Sequence, residues 1–152
     1  MIRVAVIGYG LAGRVFHVPL VAATDGLELA AVVSSRKDEL AADWPGVRVV
    51  ASPDEVFDDP AIDLVVVATA NDSHFDLAAC ALACAKHVVI DKPFALTSAQ
   101  AKNLIAMACG RLLTVFHNRR WDGDFLTLKK LRADGTLGEI AYLESRFDLY
   151  RP

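Results

Sequence analysis

Val4-Ala5-Val6-Ile7-Gly8-Tyr9-Gly10-Leu11-Ala12-Gly13 is the stretch from which the rest of the chain can be read. An apolar run that begins at Ile2 passes at Ile7 straight into the pattern G-x-G-x-x-G, and residues 11–23 then carry helix-like spacing. In such a junction the first glycine permits a tight turn, the second lets the backbone approach a pyrophosphate, and the third lets the helix lie close on the strand. The helix N-terminus adds unpaired amides and the positive end of a dipole, both suited to phosphate. Strand, loop and helix together predict a dinucleotide-binding unit, with Gly8, Tyr9, Gly10, Leu11, Ala12 and Gly13 as its cofactor loop. Pro19 sits inside the helix pattern and lacks a backbone donor, so a kink or break is expected near His17-Val18.

Working outward, short β-branched runs alternate with longer helix-patterned segments. Strands are expected at 2–7, 27–33, 47–50, 64–68, 87–90 and 112–116. None alternates strictly between polar and apolar, as befits parallel strands covered on both faces. Helices are expected at 11–23, 37–43, 73–84 and 98–109, with a short turn at 53–57 that Pro53 can open. Strand–helix–strand repetition with short connections predicts an α/β fold, a doubly wound parallel-sheet Rossmann domain over residues 1–120. From 121 to 152 the character changes. A helix pattern at 125–132 and a turn-like Asp134-Gly135-Thr136-Leu137-Gly138 precede residues 139–150, which alternate with a period of two. That alternation predicts a strand of a half-wet antiparallel sheet, the beginning of a second domain. Its apolar face (Ala141, Leu143, Phe147, Leu149) and open edge predict self-association as a homodimer or higher homo-oligomer.

The second strand discriminates between cofactors. An acidic residue about 20 positions past the glycine motif binds the ribose 2′-hydroxyl of NAD. Here the positions read Val32-Val33-Ser34-Ser35-Arg36-Lys37, with no carboxylate before Asp38. A hydroxyl followed by two cations suits a 2′-phosphate, so Ser35, Arg36 and Lys37 point to NADP ahead of NAD.

Ligands of such sheets bind at the carboxyl ends of the strands. The fourth strand runs into Ala68-Thr69-Ala70-Asn71-Asp72-Ser73-His74, where Ser73 can cap the next helix and His74 can face a cofactor. The fifth runs into Asp91-Lys92-Pro93, and proline confines Lys92 to an extended backbone at the strand end. A lysine there can polarise a carbonyl or shuttle a hydroxyl proton; a solvated lysine at a strand end has the same sequence.

The glycine loop, Asn71 with His74, and Asp91-Lys92-Pro93, in this order, resemble the glucose–fructose oxidoreductase / inositol dehydrogenase (Gfo/Idh/MocA) family. His117-Asn118-Arg119-Arg120-Trp121-Asp122, followed by Asp124-Phe125-Leu126, is most similar to its branch of NADP-dependent scyllo-inositol dehydrogenases. The resemblance implies hydride transfer between NAD(P) and a sugar or cyclic polyol. It implies Lys92 as catalytic residue and Asp91 beside the nicotinamide ribose, and adds Thr69, Ala70, Asn71 and Arg119 to the cofactor set. Members usually carry Glu-Lys-Pro, so Asp91 is one methylene shorter. They also have a second, α+β substrate domain, which makes the present sequence read as a truncated chain without a full active site. The alternative is a nucleotide-binding module without catalysis.

Composition narrows the classes further. Of 152 residues, 54% are hydrophobic and mean hydropathy is +0.34, which supports a packed core. A net charge of −3 gives no electrostatic ground for nucleic acid or an anionic membrane as partner. No apolar run approaches the roughly 20 residues of a bilayer span, and the N-terminus lacks a signal-peptide pattern, so a cytoplasmic location is expected. Cys80, Cys84 and Cys109 lack the neighbours of a zinc site, and are expected as small buried side chains in a reducing compartment.

Overall fold

The computed structural model describes residues 1–150; Arg151 and Pro152, the end of the expected second segment, lie outside the described residues. Strands form at β1 (Ile2–Ile7), β2 (Leu27–Val33), β3 (Arg48–Val50), β4 (Leu64–Val67), β5 (His87–Asp91) and β6 (Leu113–Phe116). All pair in parallel, in the order β3-β2-β1-β4-β5-β6. This is the doubly wound Rossmann arrangement. The strand order reverses between β1 and β4, which opens a crevice beyond their carboxyl ends.

Helices α1 (Val18–Ala23), α2 (Lys37–Asp43), α3 (Asp54–Phe57), α4 (His74–Ala83) and α5 (Ser98–Ala108) connect these strands. The apolar side chains segregate into two cores. One holds Ala5, Ile7, Val65, Val67, Val88 and Ile90 with Ala78, Ala81 and Leu82 of α4 and Leu104 of α5. The other holds Val4, Val6, Val32 and Val66 with Val18 and Val21 of α1 and Leu40 of α2. Alternate residues of β1 and β4 thus enter different cores, which is why their sequences show no polar face.

The break expected near His17-Val18 takes a specific form. Gly13–His17 is a π-helical turn, and α1 begins at Val18 with Pro19 in its first turn. The helix runs on through this turn, since His17 and Val18 keep helical backbone angles and the Val18 N–H bonds the Gly13 carbonyl, so the proline is met by a widened turn rather than a break.

Three expectations are corrected. The cysteines are exposed. On α4 the buried residues are His74, Ala78, Ala81 and Leu82, and that spacing leaves Cys80 to the solvent face; Cys84 and Cys109 occupy helix C-termini. Ser73 stands at the N-cap of α4 without capping it, since its hydroxyl bonds the Ala70 carbonyl at 2.8 Å. No strand forms over 139–150. A period-two pattern becomes a strand only when another strand takes up its backbone groups, and none does so among the described residues.

The chain divides into two compact units, Met1–Phe116 and a second from His117 onward. The second contains α6 (Gly123–Ala133). No helix among the described residues is long and apolar enough to cross a membrane.

Candidate cofactor site

Gly8 follows β1 with φ +105°, a conformation L side chains rarely adopt, and an added Cβ would fall 2.5 Å from the Ala68 carbonyl oxygen. A Cβ on Gly13 would fall 2.0 Å from the Gly8 oxygen. The loop is therefore folded on itself and pressed against the end of β4. Gly10 differs, because nothing lies within 4 Å of the place its Cβ would take. That open backbone faces no protein neighbour and leaves room for a phosphate.

A cleft of about 440 Å³ lies here, lined by Gly8, Tyr9 and Gly10 of the loop, Ser35 and Arg36 beyond β2, and Thr69 beyond β4. These six expected cofactor residues come together. Ile7, Val33, Ser34, Ala51, Pro53, Ser73 and Leu77 complete the lining. Leu11, Ala12 and Gly13 lie just beyond the loop's turn, and Leu11 is exposed. Lys37, Ala70 and Asn71 are exposed at the starts of α2 and of the turn before α4, outside the lining.

The end of β2 is shaped by Ser34, whose Oγ accepts the Arg36 N–H at 2.9 Å and turns the chain into α2. The Arg36 guanidinium lies 3.7 Å from Glu39. Arg14, directly after the glycine loop, reaches the same Glu39 oxygen at 3.5 Å and Asp43 at 3.0 Å. Asp43 also accepts the Tyr9 hydroxyl at 2.9 Å, and burial together with that carboxylate raises the phenol above its ordinary pKa. Tyr9, 3% exposed, thus ties the loop to α2. Exposed ion pairs of this kind contribute at most ~1 kcal/mol, so Arg36 is readily drawn to a stronger anion. Arg14, Glu39 and Asp43 were not singled out by their spacing; the only signal was a cation immediately after the third glycine.

His74 is fully buried, with Nδ1 2.9 Å from the Pro93 carbonyl oxygen and Nε2 3.1 Å from that of Thr69. Its ring presents no surface to a ligand. It joins the loop after β4 to the loop after β5, where the Lys92-Pro93 peptide is cis.

Lys92 follows β5 with an exposed side chain. Asp91 is more enclosed, and its Oδ1 accepts the Lys92 N–H at 2.8 Å. The same oxygen lies 3.9 Å from Nε2 of His17, a residue that spacing had marked only as a helix break. Burial pushes His17 below the ordinary histidine pKa, and the Asp91 carboxylate pulls it back upward. Arg119 belongs to the second unit, where it pairs with Asp122 at 2.8 Å and lies 4.5 Å over the Phe147 ring.

The arrangement fits a dinucleotide. An open glycine backbone, the start of a helix and a hydroxyl–guanidinium pair surround one cleft at the point where strand order reverses. Comparisons with known proteins agree. Residues 2–118 match the GFO_IDH_MocA group, described as an oxidoreductase family with an NAD-binding Rossmann fold. The chain is 58% identical to the uncharacterized oxidoreductase YdgJ of Escherichia coli, over 99% of its own length and 44% of that protein. It is 40% identical to the NADP(+) scyllo-inositol 2-dehydrogenase IolW of Bacillus subtilis, over 99% of this chain and 43% of that one. The solved structure of YPO2259 from Yersinia pestis superposes with a TM-score of 0.96 at 56% identity, covering 99% of this chain and 44% of that one. The chain thus spans less than half the length of these relatives.

Proposed function

The chain belongs to the Gfo/Idh/MocA oxidoreductase family, and from that premise we propose that it is the NADP-binding portion of an enzyme that moves hydride between NADP and a sugar or cyclic polyol. The observation that carries the cofactor choice is the lining at the end of β2. Ser35 and Arg36 stand there, and no carboxylate lies between Val33 and Asp38 to receive a ribose 2′-hydroxyl. A 2′-phosphate takes a hydrogen bond from Ser35 Oγ and an ion pair from Arg36, with Lys37 adding charge at the rim. The open backbone at Gly10 and the start of the following helix hold the pyrophosphate.

When bound, the nicotinamide accepts or returns the hydride. The protein's part is orientation and proton transfer. Asp91 receives a nicotinamide-ribose hydroxyl, and Lys92 Nζ takes the proton from the reacting hydroxyl or gives it to the carbonyl. His74 keeps the Lys92-Pro93 corner in register with Thr69. The substrate class is inferred from the similarity to the scyllo-inositol dehydrogenase of Bacillus subtilis. We further read residues 121–152, with Arg119 just before them, as the start of a substrate domain, and the protein as a cytoplasmic homo-oligomer.

The test is NADP-linked oxidation of a panel of cyclic polyols and sugars by a full-length protein carrying this chain, followed by nicotinamide absorbance; the 152-residue chain itself is expected to bind the nucleotide without steady turnover. Lys92→Ala is expected to lower kcat by about 100-fold, the share of a general acid–base group, with NADPH affinity unchanged within about threefold. An undiminished kcat overturns the role of Lys92.

A further inference from the structure

His17 closes the π-helical turn that starts at Gly13, and it is 4% exposed. Its ring packs 4.4 Å from the ring of Phe116, at an angle of 53°. Its Nε2 is one of the buried side-chain atoms without a hydrogen-bond partner among the described residues. Leaving such a group unpaired costs about 1–3 kcal/mol, and a leucine of similar bulk would avoid that cost. The nitrogen is aimed at Asp91 Oδ1, 3.9 Å away. That gap is about 1 Å longer than a hydrogen bond, so a small movement closes it.

The carboxylate is asymmetrically placed. Both of its close approaches, from the Lys92 N–H and from His17, fall on Oδ1. The Lys92 N–H already holds Oδ1, and a second donor closing onto the same oxygen would fix the plane of the carboxylate and leave Oδ2 as the acceptor for a ligand. Because burial keeps the imidazole neutral, His17 can supply this N–H without placing a second charge beside Lys92. His17 also lies on the helical turn that begins at Gly13, so it is tied through a few residues to the place where a pyrophosphate would sit. We propose that His17 is a positioning residue: its Nε2–H closes onto Asp91 Oδ1 in the loaded site and turns Oδ2 toward the nicotinamide ribose. This rests on the reading that Asp91 serves that ribose.

Calorimetry with NADPH and with 2′,5′-ADP, which is the phosphorylated adenosine half alone, separates positioning from packing. His17→Leu should weaken NADPH by about tenfold, or ~1.4 kcal/mol, and leave 2′,5′-ADP within about twofold. His17→Gln, which keeps an N–H near the position of Nε2, should recover most of the loss. Unchanged NADPH affinity in His17→Leu overturns the proposal, and so does an equal loss for both ligands. Asp91→Ala is the control on the underlying reading: if it binds NADPH as the parent does, Asp91 does not serve the ribose, whatever His17 does. Should His17→Leu fail to fold, the imidazole resonances of the parent protein decide. Those of His17 should shift with NADPH and stay in place with 2′,5′-ADP; identical responses overturn the proposal.

Discussion

At Gly13 a methyl group would meet the Gly8 carbonyl oxygen at 2.0 Å, whereas at Gly10 it would meet nothing within 4 Å. The two glycines of one motif therefore answer to different demands, and alanine separates them. Gly13→Ala drives side chain into backbone that cannot retreat, so destabilisation at the upper end of the ~1–3 kcal/mol range for overpacking, or beyond it, is expected in urea melts. Gly10→Ala should leave the urea midpoint unchanged and weaken NADPH by about tenfold, because the methyl occupies the approach of the pyrophosphate. Equal midpoints for the two variants contradict this division. His17 carries a pH consequence of its own. Its folded-state pKa lies below the ordinary value, with burial the main cause and Asp91 opposing it. The unfolded chain therefore binds the proton first, and the stability this histidine contributes is complete above about pH 6.5 and declines as pH falls toward the folded value. Thermal midpoints from about pH 7.5 to about pH 5 should fall less steeply in His17→Gln than in the parent. Identical slopes contradict it.

Helix α5 opens on a capping box: Gln100 N–H donates to Thr97 Oγ1 at 3.2 Å, and Thr97 N–H donates to Gln100 Oε1 at 3.2 Å. Thr97→Ala removes half of that exchange and should cost about 1 kcal/mol, read as a lower thermal midpoint with NADPH affinity unchanged. At this scale the strands were legible within a residue or so, because parallel strands covered on both faces must be continuous apolar runs. Leu64 to Val67 is a clear instance, recognisable without knowing which strand it pairs with. The glycine loop was legible for a related reason, since its constraints act within a few residues. What stayed hidden depends on distant residues meeting. Nothing near His17 in sequence announces Asp91, and nothing near His74 announces Pro93. The alternation at 139–150 misled because a strand is a property of two segments, and the pattern describes only one of them.

Within the Met1–Phe116 unit, the ends of three strands line one cleft. The end of β1 offers open backbone, the end of β2 a hydroxyl and a guanidinium, and the end of β4 Thr69. The charge balance of −3 gives the molecule no general attraction for anions, so the proposed preference for NADP rests on the local cations Arg36 and Lys37. That makes the central claim measurable without any knowledge of substrate. Titration calorimetry of the chain with NADPH and with NADH should show NADPH bound at least about tenfold more tightly, a difference of ~1.4 kcal/mol, with Arg36→Ala removing most of it. Equal affinities, or tighter binding of NADH, would contradict the account.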